Sequence, residues 1–241
     1  MKYLLGNLKM NLSYFDSLNY LNTLNSKIND SNLNNLKLGI ALSHDAMSLS
    51  LAFKNRDFLL GAQNIFHTEK GAFTGEVSFR SAVELNMDFV LIGHSERRMM
   101  FNETDELINQ KIKRIENTDI IPVLCIGENK EQFEAKKMPE VIENQIKSAL
   151  KDIDILGRLI ISYEPIYCIG NGIIPEICHI QKAIDLIAKL TNNQVPILYG
   201  GSVSLKNIHE LKEVKNLSGF LVGGAAIDAE KFLELAKEVN K

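Results

Sequence analysis

The amino-acid sequence predicts an α/β protein of the (β/α)8 barrel class, in which eight parallel strands alternate with helices. Three observations predict it: eight short apolar runs, amphipathic stretches between them, and a length of 241 residues. Barrels of this class typically have ~250 residues. Because no linker or low-complexity tract interrupts the pattern, residues 1–241 are expected to form a single domain.

Most of the strand candidates are continuous apolar runs rather than alternating ones. This pattern is typical of parallel strands that are buried on both faces. The predicted strands are residues 3–9, 36–42, 58–64, 89–94, 120–126, 159–164, 196–200 and 219–223.

The segments between the strands carry helical signals. Apolar side chains fall on one helical face in residues 104–115, 141–150, 180–190 and 232–239. Asp228 precedes the last of these segments and is a typical N-cap residue. The turn after the first strand lacks the G-x-G-x-x-G pattern of dinucleotide-binding sheets, which favours a closed barrel over an open sheet.

The composition excludes several classes of protein. With 27 basic and 30 acidic residues the net charge is -3, and nothing favours nucleic acid or an anionic membrane as a partner. The three cysteines form no C-x-x-C pair, which favours a reducing compartment. No apolar run reaches membrane-spanning length, so a cytoplasmic protein is expected. The chain contains no tryptophan.

The most informative segment is SYEPIYCIGNG, residues 162–172. An apolar run ends at Glu164, and Pro165 stops the strand. A carboxylate at the end of a buried strand loses part of its hydration and becomes a stronger base. A short apolar loop containing Gly170 and Gly172 follows. The layout predicts a carboxylate base beneath a closing lid, and the alternative is a salt-bridged residue at the rim.

Residues 93–98, GHSERR, have the same layout, because an apolar strand ends at His94. The following residues read as a helix start, whose partial positive charge favours a neutral imidazole. A neutral His94 could donate a hydrogen bond to a substrate carbonyl, although a histidine that satisfies a turn is the commoner case. That structural role is expected of His44, His67, His179 and His209.

Glycine pairs follow the last two predicted strands, where barrels commonly bind phosphate. Gly200 and Gly201 precede Ser202, and Gly223 and Gly224 end the eighth strand. Glycine lets backbone N–H groups approach an anion closely. Either pair alone could equally be a tight turn, but the two together favour a phosphate site.

Lys9 ends the first strand, where an ammonium group suits an anionic substrate and Glu96 could hold it in place. The alternative for Lys9 is a solvated cation at the rim. No cluster of histidine, cysteine and aspartate has the spacing of a metal site. Cys125 is expected to be a small packed residue rather than a nucleophile.

Eight short motifs, in order, resemble those of the triosephosphate isomerases, and the resemblance covers essentially the whole chain. It implies a (β/α)8 TIM barrel. The motifs are GNLKMN (6–11), GAQN (61–64), GAFTGE (71–76), GHSERR (93–98), LCIGE (124–128), YEPI (163–166), LYGGSV (198–203) and VGGA (222–225).

The resemblance implies an aldose–ketose isomerase of glycolysis and gluconeogenesis that acts on a small phosphorylated triose, with no cofactor and no metal. Glu164 would move a proton between adjacent carbons, and His94 would polarise the carbonyl. Lys9 would offset negative charge, with Asn7 beside it. Backbone N–H groups would hold the phosphate at Gly170, Ser202, Gly223 and Gly224.

The resemblance also implies supporting residues and a homodimer. Ser95 and Glu96 would support the catalytic residues. The loop that begins with Gly71 and ends with Glu76 would insert into a second subunit, with Thr74 near that subunit's site.

The chain departs from the family pattern mainly in the expected lid, residues 165–175. Tyr167 stands where a tryptophan is usual, Cys168 replaces an alanine, and Asn171 replaces a threonine. The segment Ile173-Ile174-Pro175 replaces the usual far hinge, and outside the lid Leu8 replaces an aromatic residue. None of these changes removes a catalytic group.

Two other functions are compatible with such a barrel. One is a catalytically silent phosphate-binding protein, but phosphate binding requires no base such as Glu164. The other is a lyase or aldolase acting on a phosphorylated sugar, which usually needs a Schiff-base lysine or a metal. The sixth strand carries Glu164 but no lysine.

Overall fold

The computed structural model describes residues 2–169 and 174–241. Eight parallel strands pair in chain order, and the eighth pairs with the first, so the sheet closes into a barrel. The predicted fold class is confirmed, while a single domain over the whole chain stays a prediction. The strands are β1 (Lys2–Asn7), β2 (Leu36–Leu42), β3 (Leu59–Ala62), β4 (Phe89–Ile92), β5 (Ile121–Ile126), β6 (Ile160–Tyr163), β7 (Ile197–Tyr199) and β8 (Gly219–Val222).

Helices follow the strands in sequence, as expected for repeated βα units, and after β2 this place is taken by a 3₁₀ segment, His44–Leu51. Within the described residues, no helix is both long enough and apolar enough to span a membrane. The helices are α1 (Tyr14–Lys27), α2 (Phe79–Glu84), α3 (Ser95–Met100), α4 (Asp105–Ile115), α5 (Lys130–Glu134), α6 (Met138–Ala149), α7 (Ile177–Leu190), α8 (Ile208–Leu211) and α9 (Ala229–Asn240).

Side chains cap several helices and fix where they begin. The Thr104 hydroxyl accepts a hydrogen bond from the backbone N–H of Leu107 at the start of α4. Asp228 accepts from the N–H groups of Glu230 and Lys231 at the start of α9, so the predicted N-cap is confirmed. Such caps satisfy N–H groups that have no partner inside the helix.

Several strands end one or two residues earlier than the sequence predicts. β4 ends at Ile92 because Gly93 adopts a left-handed backbone conformation with φ of 74°. β6 ends at Tyr163, although the N–H of Glu164 still donates to the carbonyl of Ile126. The polar residues that follow these strands therefore lie in turns at the mouth of the barrel.

The interior of the barrel is a small, fully packed cluster, and a larger cluster lies between the strands and the helices. Phe89 fills the interior against Gly61, where an added Cβ would lie 2.5 Å from its ring. Cys125 also belongs to the inner cluster, and burial raises the pKa of its thiol well above the ordinary value. The packed interior therefore holds in place the turns at the mouth of the barrel.

Candidate active site

A cavity of about 220 Å³ opens at the carboxyl ends of the strands, where the chemistry of such barrels resides. Turns after β1, β4, β6, β7 and β8 contribute to its lining. The structure thus brings together most of the residues predicted from the sequence: Asn7, Lys9, His94, Glu164, Ser202, Gly223 and Gly224. Gly170 lies outside the described residues.

Glu164 is the most deeply placed of the polar residues in this cavity, with 2 % of its surface exposed. Its Oε2 atom accepts a hydrogen bond of 3.2 Å from the backbone N–H of Ser95. Its Oε1 atom is buried and has no hydrogen-bond partner among the described residues. An unpartnered buried carboxylate oxygen costs stability. Because Oε1 has no partner, it is the carboxylate oxygen that is available to take up a proton.

The backbone of Glu164 is held by close packing. Gly127, with φ of 157°, approaches so closely that a Cβ there would lie 1.9 Å from the Glu164 carbonyl oxygen. On the other side, a Cβ at Gly200 would lie 2.8 Å from Cγ of Glu164. Only glycine fits at these two positions, so the turns after β5 and β7 clamp the carboxylate in place.

His94 lies opposite Glu164, with 3.8 Å between its Nε2 atom and Oε1 of the carboxylate. It is the N-cap of α3, and its Nδ1 atom accepts a hydrogen bond from the N–H of Glu96 at 3.3 Å. Because Nδ1 accepts, the proton of the neutral ring lies on Nε2. The imidazole therefore presents a hydrogen-bond donor to the cavity, as a carbonyl-polarising group requires.

Lys9 follows β1 in a left-handed backbone conformation, with φ of 51°. Such a conformation is strained for lysine, and hydrogen bonds hold it. The Lys9 N–H donates to Asn7 Oδ1 at 3.0 Å, and Gln63 Nε2 donates to the Lys9 carbonyl at 2.8 Å. The ammonium group binds Glu96 Oε1 at 2.5 Å. Asn7, Gln63 and Glu96 therefore fix both ends of the lysine.

The turns after β7 and β8 form the opposite wall. Asn207 closes the first turn, because its Nδ2 donates to the Ser202 carbonyl at 3.0 Å and its Oδ1 accepts from the Ser204 N–H at 2.8 Å. After β8, Gly223 precedes the 3₁₀ turn Gly224–Ala226, whose first N–H groups have no partner within the turn. A Cβ at Gly224 would meet open space. Exposed backbone N–H groups of this kind suit an anion.

The chain is similar to known proteins over nearly its whole length. The family model described as triosephosphate isomerase matches residues 2–239. The chain belongs to the triosephosphate isomerase family. The predicted family and the predicted class of enzyme, an isomerase, are thereby confirmed.

Individual members of the triosephosphate isomerase family agree with this assignment. The chain is 37% identical to the triosephosphate isomerase of Mycoplasma mobile over 239 residues, which cover 98% of this chain and 99% of that one. It is 40% identical to the enzyme of Mesomycoplasma hyorhinis over 234 residues, or 96% of each chain. The crystal structure of the Bartonella henselae triosephosphate isomerase superposes with a TM-score of 0.89 at 26% identity, covering 100% of this chain and 99% of that one.

A buried ion cluster supports the turn that carries His94 in this member of the triosephosphate isomerase family. The Glu103 carboxylate accepts hydrogen bonds from Arg97 Nε at 2.7 Å, Lys111 Nζ at 2.6 Å and the Gly93 N–H at 3.2 Å. Burial opposes ionisation of Glu103, but the charges of Lys111 and Arg97 together hold the pKa of its carboxyl below the ordinary value. The residue before His94 is thus fixed by a charged group.

This cluster was not predicted from the sequence, although the sequence contains a signal for it. Lys111 falls three residues after Ile108 and four before Ile115, on the apolar face of α4. A charged residue in that position must have a buried partner. Arg98 is a second such anchor, since it donates to the carbonyls of Gly93 and Cys125.

Three predicted residues do not line the cavity: Ser95 and Glu96 bond to Glu164 and Lys9, which do, and Thr74 lies apart from them. It is exposed in the loop 71–76, next to Phe73, whose ring contacts Phe66 with 4.8 Å between centroids. Its predicted place near a second subunit's site stays a prediction. Among the described residues, no three histidine, cysteine, aspartate or glutamate side chains gather as a metal site would require.

Proposed function

We propose that this member of the triosephosphate isomerase family interconverts dihydroxyacetone phosphate and D-glyceraldehyde 3-phosphate through an enediolate. One observation carries the proposal. The Glu164 Oε1 atom is buried, unpartnered among the described residues, and 3.8 Å from Nε2 of His94. A glutamate base and a neutral histidine are the established pair in this enzyme family.

In the proposed reaction, Glu164 removes a proton from the carbon beside the carbonyl, and the electron pair moves into a carbon–carbon double bond. The Nε2–H group of His94 donates to the carbonyl oxygen, which becomes the enediolate oxygen. His94 passes a proton between the two oxygens, and Glu164 returns its proton to the neighbouring carbon. The overall reaction needs no oxidant, reductant or external acid.

The other residues of the cavity would compensate the negative charge of the substrate. The Lys9 ammonium lies next to the turn after β8, because a Cβ at Gly223 would be 3.7 Å from Nζ. It would offset the charges of the phosphate and the enediolate. Backbone N–H groups of Ser202, Gly223 and Gly224 would hold the phosphate. The same role for Gly170, and a closing lid over residues 165–175, remain predictions from the sequence.

A coupled assay with D-glyceraldehyde 3-phosphate and no added metal tests the proposal. Isomerase turnover is expected. Binding of inorganic phosphate without turnover would instead indicate a phosphate-binding barrel. Cleavage of a phosphorylated sugar, without isomerisation, would indicate a lyase.

A homodimer is part of the proposal. Apolar side chains are exposed on the turns around the mouth of the barrel, including Met10 at 96 %, Phe73 at 45 % and Phe101 at 63 %. Apolar groups on loop tips are typically covered by a partner. Loop 71–76 would insert into a second copy of the chain and place Thr74 near that copy's site.

The substitution Phe73→Asp tests the dimer. A charge at the tip of the loop should yield monomers of low activity, measured by sedimentation and by the coupled assay. Wild-type protein that sediments as a monomer at assay concentration would contradict the proposed dimer.

The cellular setting is the last part of the proposal. We propose a cytoplasmic enzyme that serves glycolysis and gluconeogenesis, since the three cysteines of the chain are free thiols, as suits a reducing compartment. Fractionation of the source cells, with activity followed in each fraction, tests the location.

A further inference from the structure

A second buried carboxylate lies behind the site, in the turn after β5. Glu128 is fully buried and accepts hydrogen bonds from the Tyr163 hydroxyl, at 2.9 Å to Oε1 and 3.2 Å to Oε2. Its backbone carbonyl accepts from the Ile166 N–H at 3.0 Å. Tyr163 directly precedes Glu164, and Ile166 follows it by two residues. Glu128 therefore holds the chain on both sides of the proposed base.

His179, near the start of α7, contacts this carboxylate from outside. Its Nε2 atom lies 2.9 Å from Glu128 Oε1. Its ring meets Phe133 edge-on at 5.0 Å, and Phe133 stacks on Tyr167 at 4.3 Å. Tyr167 belongs to the 3₁₀ turn Ile166–Cys168, so His179 contacts the carboxylate directly and connects to the turn through Phe133.

Because the Glu128 carboxylate is fully buried, it depends on the groups that bond to it. A buried carboxylate is costly unless a positive charge or several hydrogen bonds compensate it. Burial, followed by the nearby Glu128, raises the pKa of Tyr163 well above its ordinary value, so the phenol stays protonated and donates a hydrogen bond. The Tyr163 hydroxyl and the His179 ring, from two different elements, both bond to the Glu128 carboxylate.

We infer that His179 is a positioning residue for the isomerase reaction, acting through Glu128 on Tyr163 and on the turn Ile166–Cys168. It does not line the cavity, so it acts on the placement of Glu164 rather than on substrate. The inference rests on the proposed function for its kinetic readout. It assigns to His179 more than the structural role expected from the sequence.

Three substitutions separate the hydrogen bond from the packing. His179→Ala removes both, His179→Phe keeps a ring against Phe133, and His179→Gln keeps an N–H donor at a similar reach. His209→Ala is the matched control, because His209 is an exposed histidine on α8.

For His179→Ala and His179→Phe, kcat is expected to fall roughly tenfold, since a misplacement of about 1 Å can cost ~10²-fold. KM and the inhibition constant of inorganic phosphate should stay within about twofold of wild type, because Asn207 holds the Ser202 turn independently. His179→Gln should recover most of kcat, and His209→Ala should match wild type. Full activity in His179→Phe would overturn the inference in favour of packing alone.

A second readout does not depend on activity. The chain has no tryptophan, so Tyr167→Trp provides a single fluorescent reporter in the turn. Adding His179→Ala to that variant should shift the emission to longer wavelength, because the turn loosens and admits water, whereas His209→Ala should leave it unchanged. A lower melting temperature with unchanged emission and unchanged kcat would overturn the inference. If wild type lacks isomerase activity, the proposed function fails, while the emission still tests the contact.

Discussion

Two glutamates, Glu164 and Glu103, are buried to a similar extent but differ in the groups that bond to their carboxylates. Their exposed fractions are 2 % and 5 %. Both Glu103 oxygens are bonded, Oε1 to the Gly93 N–H and Oε2 to Arg97 and Lys111. Glu164 receives one N–H from Ser95, and its Oε1 has no partner in the described part of the chain.

This difference in partners distinguishes a carboxylate that stabilises the structure, Glu103, from one that can take part in the reaction, Glu164. The ion pairs of Glu103 compensate its loss of hydration, so it stabilises the turn before His94 but has no free oxygen for a proton. The same loss of hydration is uncompensated at Glu164 Oε1, so that oxygen is free to accept a proton and its burial costs stability. Substitutions at the two sites should therefore have opposite signatures.

Glu164→Gln should show the largest effect. The amide keeps the shape of the side chain but cannot act as a base, so kcat should fall by at least ~10²-fold. The inhibition constant of inorganic phosphate should be unchanged, and stability should equal or exceed that of wild type. Steady-state kinetics measures kcat and the inhibition constant, and urea unfolding measures the stability. A variant with normal kcat and altered KM alone would show that Glu164 is not the base.

Glu103→Gln should show the reverse pattern. Removing one partner from a buried ion pair typically costs ~3–5 kcal/mol, because the other charge is left uncompensated. Stability in urea should fall by about that amount, while the folded fraction retains more activity than Glu164→Gln. Replacing Glu103 and Lys111 together by apolar residues should recover much of the loss.

Arg80→Ala is the control for this substitution. Arg80 pairs with Glu84 and Glu69 on the surface, so the variant should unfold like wild type. Equal losses in Arg80→Ala and Glu103→Gln would contradict the distinction between buried and exposed pairs.

The smallest effect concerns pH. The folded-state pKa of Glu103 lies below the ordinary value of 4.5, so its contribution is fully present above that value. As pH falls below it, the unfolded chain takes up the proton first, and the contribution is lost as pH drops through the folded-state pKa. Wild type should therefore lose stability faster than Glu103→Gln on acidification below the ordinary value. Parallel stability curves for the two proteins would contradict the assignment.

The sequence predicted the parts of this molecule that depend on local pattern. Eight apolar runs predicted eight strands, and the ends of parallel strands must meet at one rim. Lys9, His94 and Glu164 were therefore placed together without knowledge of any distance. Strand ends were predicted less well, since Gly93 turns the chain before His94.

Contacts between particular side chains could not be predicted in the same way. The position of Lys111 on the apolar face of α4 indicated a buried partner, but not that this partner is Glu103, eight residues earlier. His179 lies 51 positions from Glu128, and its pattern alone is that of an ordinary helical histidine. Side-chain pairing of this kind depends on packing rather than on periodicity.

The capping bond at His94 has one further consequence. Its Nδ1 atom is occupied by the Glu96 N–H, and the same bond begins α3. The start of α3 thus fixes the tautomer of His94, because a proton could bind to Nδ1 only if the hydrogen bond from the Glu96 N–H were broken. A substitution that unwinds the first turn of α3 would free the ring to place its proton on either nitrogen, even if the barrel itself did not move.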